Sequence, residues 1–213
     1  MRVPVVSYII TALAAYLLGS IPTGYLVGKA KGVDIRTVGS KNMGATNVFR
    51  TVGKALGIFV LLVDALKGWV AVVLVSQLAA HLFSASAPED CLRITAGIGA
   101  IFGHNYTCWL KFKGGKGIAT TAGVMAALVP VALLIVVGVF IVLFAATRYV
   151  SVGSIGGAVV LPIATWFTRH DIGLTVVTGA LAVLAILKHR KNIQRLLAGT
   201  ENRIEFKKTE GAK

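Results

Sequence analysis

Long apolar runs alternate with short polar segments along the whole chain. The runs cover roughly 3–28, 56–83, 92–110, 117–147, 150–168 and 172–187. A helix needs about 20 apolar residues to cross a bilayer, so each run is a candidate membrane segment. The first run follows Arg2 and ends in small residues, as a secretory leader does. Cleavage there would leave the basic segment 29–54 outside the cell, so the run is read as a retained membrane segment.

The positions of Lys and Arg give each segment a direction. Segment 29–54 carries Lys29, Lys31, Arg36, Lys41, Arg50 and Lys54. Segment 111–116 carries Lys111, Lys113 and Lys116, and the tail carries Lys188, Arg190, Lys191 and Arg195. Linkers 84–91 and 169–171 hold only Arg169 between them, and the first holds Glu89 and Asp90. Short basic loops stay on the cytoplasmic side, which puts the N-terminus outside. A single crossing by 117–147 would then send the basic tail outside. An ascent and return keeps Arg148 and the tail inside, with the turn near Pro130, where a helix loses a donor and meets a steric clash. The first half, 117–129, is too short for a straight full span and is read as tilted or partial. The expectation is an all-α integral membrane protein. It is a single domain over 1–213, a seven-helix bundle with its N-terminus outside and its C-terminus cytoplasmic.

Composition agrees. Of 213 residues, 56% are hydrophobic and 14% charged, too few polar groups to cover the chain in water. The formal net charge is +14, from 22 Lys and Arg against 8 Asp and Glu. A basic balance suits nucleic acid, anionic headgroups or small anionic substrates. Here the charge sits in short segments between apolar runs, which favours headgroups and substrates over nucleic acid. Cys91, in the linker beside Glu89 and Asp90, and Cys108, one apolar run later, are expected near opposite faces and unpaired. There is no zinc-ligand spacing and no G-x-S-x-G elbow. His104 has no Asp four residues on, so the H-x4-D acyltransferase signature is missing. The scarcity of intramembrane carboxylates argues against a proton-driven pump.

Three polar segments carry the candidate chemistry. The first runs from Asp34 to Arg50 and is dense in Gly, Ser, Asn and Thr, with a cation at each end. Glycines admit an anion close to backbone N–H groups, and hydroxyls and amides add donors. A helix starting near Ala45–Thr46 would add positive potential, and Arg50 could fork onto phosphate oxygens. Spacing alone leaves a plain headgroup-facing loop equally open. The second joins Gly103-His104-Asn105-Tyr106 to Lys111-Phe112-Lys113-Gly114-Gly115-Lys116-Gly117. Lipid anchoring explains Lys111 adequately. It explains Gly114-Gly115-Lys116-Gly117 less well, since glycines cost chain entropy. The third, from His189 to Leu197 and on to Gly199 and Glu201, places His189, Asn192 and Arg195 on one helical face. Taken alone, it reads as an amphipathic helix lying on the membrane. Asp64 and Lys67 lie within a span at a spacing that lets them pair. Ser151 and Ser154, after Arg148, suit local capping at a turn.

Together and in this order, the segments resemble the motifs of the bacterial acyl-phosphate:glycerol-3-phosphate acyltransferase family, PlsY. Gly39-Ser40-Lys41-Asn42-Met43-Gly44-Ala45-Thr46-Asn47-Val48-Phe49-Arg50 is similar to its first motif. Gly103-His104 with Phe112 to Gly117 is similar to its second, and His189 to Glu201 to its third. Asp64-x-x-Lys67-Gly68 fits the same family, and Thr107 departs from it where a proline is common.

The resemblance implies transfer of a fatty acyl group from acyl phosphate to the 1-hydroxyl of sn-glycerol 3-phosphate. The products are lysophosphatidic acid and phosphate, in the first acylation of phospholipid synthesis. It implies a site on the cytoplasmic face of the bacterial inner membrane, with membrane lipid around it and no metal, cofactor or obligate protein partner. Ser40, Asn42, Gly44, Thr46, Asn47 and Arg50 would cradle the acyl-phosphate headgroup. Lys116, His104, Ser154, Gly114 and Gly115 would hold glycerol 3-phosphate. His189 and Asn192 would orient its hydroxyl, and Glu201 would brace the third segment. Catalytic weight falls on His189, Asn192, Ser40, Arg50 and Lys116. The proton goes either to His189 or to the substrate's own phosphate. A transporter of phosphorylated solutes would need cations spaced through the spans, where only Lys67 lies deep. A scaffold would leave the three segments without a purpose.

Overall fold

The computed structural model describes residues 3–83 and 88–204. Arg2, the first half of the expected 84–91 linker and the last residues of the basic tail lie outside the described residues. Every regular element among the described residues is helical.

Helix α1 (Val3–Gly19) stops just before Pro22, and α2 (Thr23–Ala30) starts after it, so the first apolar run is broken rather than continuous. Proline removes a helix donor and crowds the preceding turn. A polar segment leads to α3 (Ala45–Thr51), which starts at the expected position. Helix α4 (Lys54–Val70) runs through a π turn at Ala71–Val75 into α5 (Ser76–Leu82). Helix α6 (Glu89–Asn105) begins earlier than its apolar run, so Cys91 lies in its first turn and not in a linker. Glu89 and Asp90 favour that early start by complementing the positive end of the helix dipole. The 117–147 run divides as expected. Helix α7 (Ile118–Leu128) ends at Val129, and α8 (Pro130–Thr147) starts on Pro130, whose missing N–H costs nothing in a first turn. Helix α9 (Val150–Arg169) precedes α10 (Ile172–Lys188), which Asp171 caps by accepting from the Leu174 N–H at 3.0 Å. Helix α11 (Arg190–Leu197) leaves α10 at 54°. The bend falls at His189, so His189 is a junction residue and only Asn192 and Arg195 share the predicted helix.

Four segments are long and apolar enough to cross a bilayer: Val5–Ala30, Lys54–Leu82, Pro130–Thr147 and Val150–Arg169. A fifth is added if the bent α10–α11 pair counts as one. Helix α6 is shorter, with 17 residues and charges in its first turns, and α7 has 11.

The chain divides into two units, Met1–Pro130 and Val131–Lys213. In the first, helices approach so closely that only glycine fits between them. A Cβ on Gly19, Gly99 or Gly103 would run into the backbone of Ala100, Ala12 or Tyr16, which seals α1 against α6. Gly68 and Gly123 do the same for α4 and α7, against Thr120 and Ala65. Such contacts suit an apolar solvent, where burying greasy side chains gives helices no reason to associate and close backbone packing supplies the attraction. In the second unit, Gly153 and Gly156 of α9 receive Phe140 and Leu143 of α8.

Gly103→Ala is therefore expected to destabilise the protein by about 2 kcal/mol, because its Cβ meets a carbonyl oxygen that cannot move. Gly138→Ala, with nothing within 4 Å of the new carbon, should leave the melting temperature in detergent unchanged or raised. Thermal unfolding of the two purified variants checks both.

Candidate active site

The first polar segment is wrapped around one side chain. Asn47 on α3 is buried, and its amide uses both ends. Its Nδ2 donates to the Ile35 carbonyl at 2.9 Å and the Val38 carbonyl at 3.2 Å. Its Oδ1 accepts from the Ser40 N–H at 2.9 Å. A Cβ at Gly39, whose φ is +56°, would collide with the same amide oxygen. The Asn42 side chain accepts from the Gly44 N–H at 2.8 Å, a turn of the kind Asn favours. Ile35, Met43 and Val48 anchor the segment in an apolar cluster with Val60 and Leu110. Thr46 and Arg50, four residues apart on α3, share a half-buried face. At the outer rim, Arg36 pairs with Asp34 at 2.7 Å and lies over the Tyr25 ring. The Arg36 hydrogen bonds hold the Asp34 carboxyl down at about 2.

The second segment folds onto the end of α6. His104 and Asn105 are buried there. The Gly115 N–H donates to the His104 carbonyl at 3.0 Å, and the Gly114 N–H to the Asn105 carbonyl at 3.2 Å. A side chain at Gly115 would strike the imidazole, and one at Gly117 (φ +80°) the Asn105 amide. The glycines are thus explained by close approach, and half-buried Lys116 is carried on a fixed turn. Leu110 joins this segment to the apolar cluster of the first, so the fold brings the two together. Behind His104 lies the Asp64–Lys67 pair at 2.8 Å, as its spacing predicted. Thr107, at the position where the family motif has proline, is buried and donates to the Ser20 carbonyl at 2.6 Å. That carbonyl lies at the α1–α2 break, where helix bonds are lost.

The third segment belongs to the second unit. Glu201 accepts from Asn192 Nδ2 at 2.6 Å, Ser151 Oγ at 2.9 Å and Arg195 Nε at 2.7 Å. Gly199, with φ +67°, turns the chain back so that the carboxylate can reach α11. Burial opposes ionisation of Glu201, but the Asn192, Ser151 and Arg195 hydrogen bonds outweigh it and hold the carboxyl below its usual 4.5. Ser151 therefore does more than cap a turn, whereas Ser154 makes the local bond, donating to the Val150 carbonyl at 2.9 Å. His189 Nδ1 lies 2.7 Å from the Ala185 carbonyl. A carbonyl only accepts, so that nitrogen carries a proton and the neutral ring keeps its basic lone pair on Nε2.

Thr23 is a supporting residue that motif reading passed over, and Asn105 and Ser151, named in the sequence, were given no such role. The only sequence signal for Asn105 is that it follows His104. Thr23 gives none beyond following the helix-breaking Pro22.

Apolar helices of membrane-crossing length, with buried polar clusters beneath glycine-rich cationic turns, define an integral membrane protein. The glycerol-3-phosphate acyltransferase family model matches residues 9–199, and the chain belongs to that family. The glycerol-3-phosphate acyltransferase of Trichlorobacter lovleyi is 46% identical over 191 residues, 90% of this chain and 94% of that protein. The Fusobacterium nucleatum relative of the same name is 44% identical over 192 residues, covering 90% and 95%. A crystal structure of PlsY (YgiH), an integral membrane glycerol 3-phosphate acyltransferase in its glycerol 3-phosphate form, matches with a TM-score of 0.83 and 36% identity. That match covers 93% of this chain and 96% of the other. The lysophosphatidic acid form of PlsY matches at 0.80 and 35%.

Asn47→Asp preserves shape but cannot donate to the Ile35 and Val38 carbonyls. It should lower stability by about 2 kcal/mol and open residues 36–42 to limited proteolysis. For Glu201, a carboxyl depressed in the folded state stabilises it above the usual 4.5 and loses that contribution as pH falls through the lower folded value. The melting-temperature gap between the native protein and Glu201→Gln should therefore be widest at neutral pH and narrow steadily below about pH 4.5.

Proposed function

We propose that this chain transfers a fatty acyl group from acyl phosphate to the 1-hydroxyl of sn-glycerol 3-phosphate. The products are lysophosphatidic acid and inorganic phosphate. The solved relatives, captured with glycerol 3-phosphate and lysophosphatidic acid, support the acceptor and the product. One observation carries the site assignment: the polar segments are built structures. Asn47, His104 and Asn192 are all buried at their centres. A loop that merely touched headgroups would need no such buried scaffolding.

Phosphate leaves an acyl phosphate readily, so no Ser or Cys nucleophile is needed. The protein's task is to bring two mutually repelling anions together, which fixed cations and donors accomplish. Ser40, Asn42, Gly44, Thr46 and Arg50 hold the acyl-phosphate headgroup, while Asn47, expected among them, spends its amide on the Ile35, Val38 and Ser40 backbone and shapes the loop instead. His104, Gly114, Gly115 and Lys116 take the phosphate of glycerol 3-phosphate, and Ser154 is assigned to the same substrate from the family pattern. His189 and Asn192 orient the attacking hydroxyl. The bond formed joins that oxygen to the acyl carbon, the carbon–phosphate oxygen bond breaks, and the hydroxyl proton passes to His189 Nε2 or to the departing phosphate. The layout is seven membrane segments, N-terminus out and C-terminus in, in the bacterial inner membrane. The 29–54 and 111–116 segments and the tail face the cytoplasm, supported by their Lys and Arg.

Detergent-purified protein given palmitoyl phosphate should release phosphate only when glycerol 3-phosphate is added. Arg50→Ala and Lys116→Ala should each lower kcat/KM on the order of 100-fold. No release from folded protein, with neither cation required, would sink the assignment. His189→Ala decides the proton acceptor: a fall in kcat with KM intact makes His189 the base, and a change confined to glycerol 3-phosphate KM makes it a binding residue.

A further inference from the structure

A carboxylate and an ammonium shut away from water gain little net stability by pairing, because desolvation offsets most of their attraction. Charges kept inside a membrane segment are there by default for a function. Asp64 and Lys67 are 1% and 5% exposed. Their surroundings show what the pair holds. Asp64 Oδ1 accepts from Lys67 Nζ at 2.8 Å and from Thr23 Oγ1 at 2.9 Å. Lys67 Nζ also donates to the Ile21 carbonyl at 2.9 Å. The carboxylate is thereby fixed from both α4 and the α1–α2 break. Its third neighbour is His104 Nδ1, at 3.7 Å. The other nitrogen of that imidazole, Nε2, is the atom a Cβ on Gly115 would strike first. One buried ring is therefore held between a carboxylate on one side and the Gly114–Gly117 turn on the other.

We propose that Asp64 is a positioning residue for glycerol 3-phosphate binding, acting through His104. The inference rests on the assignment of His104 and Lys116 to that substrate. A carboxylate 3.7 Å from an imidazole nitrogen attracts the ring electrostatically and closes one side of its seat. Fixing the ring fixes the seat of the glycine turn, and with it the Lys116 backbone. The acyl-phosphate cradle takes its own hydrogen bonds from Asn47, on α3.

The test is a double-mutant cycle on folded, detergent-purified protein. His104→Ala should raise the glycerol 3-phosphate KM. Asp64→Asn should raise it about tenfold while leaving the acyl-phosphate KM unchanged, and should add less than about twofold in the His104→Ala background. If Asp64→Asn multiplies KM equally in both backgrounds, or leaves it unmoved, Asp64 does not act through His104 and the inference is overturned alone. If His104→Ala leaves the KM unchanged, the underlying assignment fails first, and the inference falls with it. Thr23→Val loosens the same carboxylate with both charges kept. It carries the identical comparison if Asp64→Asn does not fold: a rise in KM that vanishes without His104 supports the proposal, and an equal rise in both backgrounds overturns it.

Discussion

The Asp64–Lys67 pair is the contact on which the first unit turns. In a medium that offers no water, a carboxylate must fill its valences from the protein. Asp64 does so by drawing in Lys67 of its own helix α4 and the start of α2 through Thr23, with His104 at the end of α6 standing 3.7 Å away. Lys67 ties in the α1–α2 break by donating to the Ile21 carbonyl. The helices that carry these groups can come so near because glycine stands where α1 meets α6 and where α4 meets α7. Close backbone packing and one satisfied ion pair thus work together. The glycines bring the helices within reach, and the polar cluster fixes their register.

The two glycine-rich turns repeat this logic at the edge of the unit. Each is folded over buried polar residues: Asn47 bonds through its side-chain amide to the backbone of residues 35–40, and the main-chain carbonyls of His104 and Asn105 accept from Gly115 and Gly114. Glycine is required at these contacts for space, as the collisions at Gly39, Gly115 and Gly117 show. The second unit uses a carboxylate instead. Glu201 receives three side-chain donors from α9 and α11, and remains ionised because those bonds outweigh the cost of its burial.

Much of the polar architecture was legible because it obeys local rules. The start of α3 at Ala45, the break at Pro130 and the i,i+3 pairing of Asp64 with Lys67 follow from spacing and residue type, and the bracing role of Glu201 from the family resemblance. Other features were not. The bend at His189 separates it from the helix it was expected to share with Asn192 and Arg195, and Pro22 interrupts the first run. The first follows from how one segment meets the next, and the second from a single proline, neither of which apolar periodicity records. Thr107 is a further case. Reading it as a departure from a motif says nothing of the Ser20 carbonyl it satisfies, 87 residues away in sequence.

By itself, the sequence determined the solvent, since 56% hydrophobic residues in long runs belong in a bilayer. It determined the helical class, and it determined the family through three ordered motifs. These properties are additive along the chain, so no folded contact is needed to read them. The tertiary structure decided which polar residues are buried supports and which belong to the working surface. It made Asn47 and Asn105 scaffolds for their turns, turned Ser151 toward Glu201, and set His104 between Asp64 and Gly115. The reason is physical: a buried polar group is defined by the partner that satisfies it, and that partner lies on another element, dozens of residues away.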